Sequence, residues 1–547
     1  MKRWRKALGL FLTVGMLAGA LSGCGNQQPE NDKVQETKYD NTNTAEVPDD
    51  VTTYTIATMR WSDSWPTEFL HSGIMKELED KHGIYIDWQI YYSSDWAEQK
   101  SLLLASGDLP DAFLGCDTLS DSDISQNKDY FVELSDLIDR NMPNYKEVLE
   151  KEPEMMARSK DRNGESYSLV KKLPLRPEVC GDSVYINKEW LDNLGLAVPV
   201  NLEELTSVLE AFAREDADGD GDPTNEIGIT CCKYDYIMSG NLRTILAPFN
   251  CVVDRSGYMH LDDNGTPVFA PVTDNYKEAV KWMAQMYAEG VVDPEFFTQD
   301  PSMSTAKLQA EGGSLVGLVS GWTVDAQVGA NAGQFIPLEA IEGIDGGHHV
   351  ENASRQLDIN DKELVITKNC KNPDKLLQWA DDFYDDLVAL QTFYGSIPDQ
   401  VKDNGDGTYE VLLPENDGSL DTSAWSNSLR DYGPKYMNPE FYDKVTLPTS
   451  QGDGVKVAED SINGKYVTTD RNNAFPPVKF TDEEILRLSE LQTDLYKYVE
   501  AQYAHWVVDG GVEEEWDAYL EQLDAMGLAE FVAIQTKAYD FYLDSMK

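Results

Sequence analysis

Cysteine is scarce, with 7 in 547 residues, and no two are spaced as CxxC. Beyond Cys24 only Cys116, Cys180, Cys231, Cys232, Cys251 and Cys370 remain. So few cannot staple so long a chain, and buried free thiols are the expectation. A bridge from Cys231 or Cys232 to Cys251 is left open. Histidine is rarer still, with 6. The pair His348-His349 has no HExxH around it, so zinc chemistry has no support. Basic residues are outnumbered 45 to 97, for a net charge of -52. That excess disfavours nucleic acid and anionic lipid surfaces as partners. No GxSxG or Cys/His pattern marks a nucleophile, and no internal repeat marks a solenoid. After the N-terminus no run is apolar enough to span a bilayer.

What is there begins with MKRWRKALGLFLTVGMLAGALSGCG. Lys2, Arg3, Arg5 and Lys6 precede an apolar run from Ala7 to Leu21, too short for a membrane span but right for a signal peptide. The run ends Leu21-Ser22-Gly23-Cys24, which resembles a bacterial lipobox. That resemblance implies cleavage before Cys24 and a diacylglyceryl group on its thiol. Two acyl chains hold a protein on a membrane stably. Residues 1–23 are therefore expected to be a leader. Residues 24–50, polar and acidic, are expected to be a disordered tether. The rest is expected outside the cell, touching the membrane through the anchor only.

The remaining length exceeds what one core supports, so two lobes are expected. Thr53–Trp61 alternates like a strand, Thr67–His82 reads as helix and Ile84–Tyr92 as strand. A helix from Asp95 to Gly107 and a strand over Asp111–Gly115 follow. This alternation predicts a parallel sheet with helical crossovers. A second unit opens near Cys180. Asn201 with Glu204 three residues on predicts a capped helix, whose Leu205, Val208, Leu209 and Phe212 share a face. DNYKEAVKWMAQMYAEG predicts a helix ended by Gly290. Ser314–Trp322 reads as a buried strand, Leu357–Thr367 as a strand crossing between lobes and Pro373–Leu390 as one helix. KDNGDGTYEVLL (Lys402–Leu413) predicts a hairpin, and Thr481–Lys547 is mostly helical. The expected lobes are 51–178 with about 358–400, and 179–357 with about 401–547.

DADGDGDPTNEIG follows the capped helix. Asp216, Asp218 and Asp220 alternate before Gly221, and Asp222 can offer a backbone carbonyl. These match positions 1, 3, 5, 6 and 7 of an EF-hand-type calcium loop. The bidentate acid of position 12 falls on Ile227, whereas Glu226 comes one residue early beside Asn225. A structural calcium ion is favoured over a merely solvated loop.

ASGDLPDAF, SVYINKEWLDNLGLAVPVNLEELTSVLEAF, the acidic loop, EGVVDPEFFTQD and FYGSIPDQVKDNGDGTYEV together resemble family 1 extracellular solute-binding proteins. These are the lipid-anchored receptors of carbohydrate ABC importers. The likeness runs from about Thr53 to Val411, and its nearest branch is the calcium-loop one that includes alginate- and oligosaccharide-binding lipoproteins. It implies a two-lobed, type II α/β fold, each lobe a mostly parallel sheet flanked by helices, with a helical C-terminal extension. It also implies a monomer that closes on an oligosaccharide between the lobes and presents it to permease subunits, with no turnover. Here the branch's Asp-Glu-Ile ending of the acidic loop is replaced by Asn225-Glu226-Ile227.

A sugar needs an aromatic ring for its C–H face and polar groups for its hydroxyls. Trp61, Asp63 and Trp65 follow the first strand, where strand C-termini face a crevice. Trp322 follows a buried strand at a position where the family stacks an aromatic on the ligand. Tyr234, Tyr394, Trp425, Asp117 and Arg355 complete the candidates. Trp190, Trp282, Trp379, Trp506 and Trp516 lie on helices and read as core. The rivals are a secreted glycoside hydrolase, needing two facing carboxylates, and a binder of peptides or another small solute on the same fold.

Overall fold

The computed structural model describes residues 39–547 apart from 42–46, 48–49, 62, 64, 116, 174–181, 233–241, 252–256, 263, 351–358, 414–426, 449–452 and 467–473. The elements begin with β1 (Thr52–Arg60), α1 (Gly73–His82), β2 (Ile84–Tyr92), α2 (Ser93–Ser106), β3 (Ala112–Leu114) and β4 (Lys171–Lys172). They continue with β5 (Ser183–Asn187), α3 (Leu202–Phe212), β6 (Ile227–Ile229), α4 (Asp274–Ala288), β7 (Val316–Gly321), β8 (Phe335–Pro337) and β9 (Ile359–Asn360). β10 (Leu364–Ile366), α5 (Pro373–Asp381), α6 (Asp386–Tyr394), α7 (Asp453–Asp460), α8 (Asp482–Asp509), α9 (Val512–Ala525) and α10 (Leu528–Ser545) follow, with further short helices and strands between these elements.

The first sheet runs β2-β1-β3-β10, with the Asp40–Asn41 segment on the β2 edge. β1 is parallel to β2 and to β3, as the strand–helix alternation predicts. Both faces of β1 are covered, as parallel sheets require. Tyr54 and Ile56 join Leu78 of α1 in one cluster, while Ala57 and Met59 join Trp96 and Leu103 of α2 in another. α2 ends where Gly107 adopts φ 71, the left-handed cap that glycine takes most readily.

The second sheet runs β8-β5-β7-β6. Its strand directions correct the mostly parallel expectation. Only β7 and β6 are parallel, whereas β5 pairs antiparallel with both β7 and β8. Strand direction depends on how the long connection from β5 returns to the sheet, which local pattern does not encode. The layered α/β arrangement itself holds. α3 packs on β7 so closely that a Cβ at Gly317 would lie 2.3 Å from the Phe212 ring. Trp190, Trp282 and Trp506 are buried in the core on this sheet, and Trp379 in that on the first.

Three further differences are local or topological. Pro373–Leu390 is not one helix: Asp385 leaves the helical path and accepts from Leu387 and Val388 N–H at 3.0 and 3.2 Å, starting α6 anew. Leu429, Tyr432 and Tyr436, expected with the second lobe, pack into the core of the first sheet. Leu357–Thr367 splits into β9, paired antiparallel with β4, and β10, paired with β3. Residues 435–437 lie beside β4, since Lys172 N–H donates to Lys435 O at 2.9 Å and Met437 N–H to Lys172 O at 2.8 Å. β4, β9 and this stretch together form the connecting layer between the sheets. Cys231, Cys232, Cys251 and Cys370 are buried, Cys251 and Cys370 as free thiols, and Cys116 and Cys180 lie outside the described residues.

Candidate functional site

The C-terminal ends of β1 and β3 share one edge, because Thr58 pairs in parallel register with Leu114. Trp61 leaves β1 there and is 56% exposed, its carbonyl accepting from Ser93 Oγ at 3.1 Å. Asp63 is exposed and Trp65 half-buried. Arg60 lies beneath them, its guanidinium 5.6 Å from the Trp65 ring centre and 5.4 Å from that of Phe69. Burial pushes its pKa down to about 10. Asp117 is exposed beyond β3. Gly115, at φ 106, lets Tyr432 close over this edge, since a Cβ would meet the ring at 2.8 Å.

Trp322 stands half-buried at the end of β7. A polar group from α7 backs it. The Lys456 ammonium lies 4.7 Å from the indole centre and 2.9 Å from Asp460 Oδ1, and both charged side chains are fully buried. Asp460 also accepts from Ser183 Oγ at 2.7 Å. Tyr185 hydroxyl lies 2.8 Å from Glu459 Oε2 and 3.3 Å from the Trp322 carbonyl. Burial raises the Glu459 carboxyl. None of these partners carried a sequence signal, because they meet Trp322 only through the fold.

Tyr394 differs from the ligand-facing expectation. It is 9% exposed, sits in a small core with Phe393 and Tyr409, and shares a 2.9 Å hydroxyl contact with Tyr442. The last turn of α6 spends the ring on packing. Tyr234, Arg355, Trp425 and Cys24 lie outside the described residues.

The acidic loop brings one oxygen each of Asp216, Asp218 and Glu226 within 4.8 Å of one another. Asp216 accepts from Gly221 N–H at 3.2 Å, and Glu226 Oε1 from Ala217 N–H at 2.8 Å. Asp220 is tied to Asn225 Nδ2 at 2.9 Å, and the Asp222 carboxylate caps Thr224. Glu226 is buried, yet its Oε2, like Asn225 Oδ1, has no hydrogen-bond partner among the described residues. Two orphaned buried acceptors beside two carboxylates form an oxygen-only donor set, which suits a hard cation.

A second buried charge cluster sits in the connecting layer. Lys171 Nζ is 2.8 Å from Glu363 Oε1, and Gly433 N–H donates to Glu363 Oε2 at 2.9 Å. Lys435 is fully buried and donates to Arg430 O at 2.9 Å and Tyr432 O at 2.5 Å. Burial, then Lys171, push the Lys435 ammonium down to about 7, while burial lifts Glu363 to about 6.

No protein-family model matches the chain. It is 31% identical over 487 residues, 86% of this chain and 87% of the other, to the fructooligosaccharide ABC transporter substrate-binding protein FusA of Streptococcus pneumoniae. The structure of FusA in complex with kestose superimposes with a TM-score of 0.77 at 28% identity, covering 90% of this chain and 100% of that one. An EF-hand mutant of FusA in complex with fructo-nystose gives 0.77 at 27% identity, with the same shares covered. An HMO-binding, ABC-transporter-associated solute-binding protein of Bifidobacterium longum infantis gives 0.74 at 25% identity, covering 90% of this chain and 99% of that one.

Proposed function

Because this chain belongs to the substrate-binding proteins of ABC transporters, we propose that it captures an oligosaccharide between its lobes and hands it, unaltered, to permease subunits. The observation that carries the reading is Trp322, a half-exposed indole held rigidly at a strand end. Trp61, Trp65, Asp63 and Asp117 form the opposing wall, the rings covering C–H faces and the carboxylates accepting hydroxyls. Tyr234, Arg355 and Trp425 remain candidates for the same ligand. The lobes are 51–178 with about 358–400, and 179–357 with most of the remainder, and they close as a hinge over β4 and β9. The leader, the lipid on Cys24 and the tether to residue 50 hold a monomer on the outer face of the cell membrane. Among the described residues no helix is long and apolar enough to cross a membrane.

Calcium fits the acidic loop. Asp216, Asp218, Glu226 and Asn225 would hold it, with Asp220 and the Asp222 carbonyl completing an oxygen shell. Bound there, the ion cancels charge at the end of α3. Glu226, one residue early by the loop rule, is turned inward and takes the place of the missing acid.

The test is calorimetric titration of kestose into wild type and Trp322→Ala. Loss of about tenfold or more in affinity at an unchanged melting temperature is expected. Equal affinity removes Trp322 from the site. New reducing ends on incubation with the sugar would instead make the protein a hydrolase.

A further inference from the structure

The sequence reads residues 24–50 as one disordered tether, yet part of that stretch pairs with the first sheet. Asp40–Asn41 runs antiparallel to β2, Asp40 opposite Ile90 and Asn41 opposite Gln89. Side chains support the same register. The Asp40 carboxylate accepts from the Tyr92 hydroxyl at 2.8 Å, and the Tyr39 and Tyr91 rings lie 5.8 Å apart, tilted at 53°. Without this segment β2 would end the sheet. A bare edge strand invites pairing with other chains, and β2 takes its cover from the protein's own tether.

Direction decides what the pairing does. The segment is antiparallel to β2, and β2 is parallel to β1. Moving from Asn41 back toward Tyr39 therefore leads to the C-terminal ends of both strands. Tyr39 meets Tyr91, which pairs with Met59, two residues before Trp61. The surroundings are those of the candidate site. Burial first, then Asp40 and Asp63, push the Tyr92 hydroxyl up to about 12, and Arg60 opposes them. Ser93 Oγ donates to the Trp61 carbonyl at 3.1 Å.

The chain toward Cys24 thus leaves the first lobe at the edge that bears Trp61. A tether joined only at Thr52, where the nine residues of β1 start, would leave from the opposite edge, about 30 Å away along the strand. Docking also leaves residues 24–38 rather than 24–50 as the free length. At full extension that is about 50 Å instead of about 90 Å.

We propose that the β2 edge is a built-in dock for the lipid tether, occupied by Tyr39–Asn41, so that the anchor draws the Trp61 edge of the first lobe toward the membrane. The permease subunits of the proposed function lie in that membrane, and the dock shortens the path to them. This rests on the reading of Cys24 as lipidated.

The experiment uses the full-length lipidated chain, extracted from membranes and reconstituted in phosphatidylcholine vesicles that carry an energy-transfer acceptor on their headgroups. A donor is attached at Ser94→Cys or at Ser106→Cys, both exposed positions of α2. Position 94 lies beside the Trp61 edge, and 106 about 18 Å along the helix at its other end. The chain without either substitution gives the labelling background. Transfer from 94 is expected to exceed transfer from 106. Asp40→Pro removes the backbone N–H and the partner of Tyr92 together, and the excess should be lost. Hydrogen exchange at the Gln89–Tyr91 amides should speed up in the same variant, with little change in melting temperature. Transfer from 94 that does not exceed that from 106, an excess that survives Asp40→Pro, or identical exchange in both proteins overturns the dock. A wild-type chain that washes off the vesicles overturns the lipid reading and this inference with it.

Discussion

Glu226 shows how one side chain can decide the role of a loop. Its Oε1 is satisfied by Ala217 N–H, while its buried Oε2 has no partner among the described residues. Glu226→Gln is therefore expected to weaken calcium binding, and chelation to lower the melting temperature of wild type but not of the variant. Differential scanning calorimetry with and without a chelator checks this, and an identical melt in wild type would make the loop merely solvated. Trp190 offers the opposite case, a large ring used only for packing. It is 1% exposed and meets Phe212 edge to face with ring centres 5.3 Å apart. Trp190→Ala should cost ~3–5 kcal/mol of folding stability, with kestose affinity unchanged in the fraction that remains folded. The helical positions of Trp190, Trp282 and Trp379 made their burial legible from periodicity. Lys456 was not legible, because a lysine in an amphipathic stretch reads as solvated until the fold sets an indole over it.

Among elements, helix starts were the most readable, since capping is local chemistry. Asn201 accepts from Glu204 N–H at 2.9 Å, and Thr481 and Glu484 form a reciprocal box at the start of α8. Asp385 was missed because its apolar neighbours continue a helical pattern across the break. Glu484 does more than cap, for it also pairs with Arg162 at 2.6 Å and Lys537 at 2.7 Å, tying α8 to the first lobe. Glu484→Ala should lower stability by about 2 kcal/mol in a urea melt. In the connecting layer, Lys435 has a folded pKa of about 7 against 10.5 when free. The unfolded chain binds more protons between those values, so stability should rise with pH above about 7, by at most ~1.4 kcal/mol per unit from this group. Below 7 the lysine is charged in both states and adds no slope. Glu363 works the other way, with stability falling as pH rises from 4.5 to about 6. Urea melts of wild type and Lys435→Met at pH 7 and 9 separate the lysine's share. The variant should lose part of the rise, and the same rise in both proteins would show that Lys435 stays charged throughout.

At the scale of the whole molecule, two sheets with separate cores are joined by β4, β9 and residues 435–437. The two-lobed α/β fold was legible because alternating strands and helices allow few other solutions. The antiparallel pairs of the second sheet were not, since they depend on long connections. α8 adds a second tie, with Asp482 on Lys128 at 2.9 Å at its N-terminal end and its Leu495 and Trp506 in the core of the second lobe. The proposed closure would turn about the connecting strands while α8 restrains the far side, so small-angle scattering should show a modest fall in radius of gyration on ligand addition rather than a large collapse. The proposed role of the molecule is to capture an oligosaccharide without turning it over. A glycan array probed with the purified chain puts that role to the test. Retention of a restricted set of oligosaccharides, lost in Trp322→Ala, is the predicted result, and a protein that retains no oligosaccharide contradicts it.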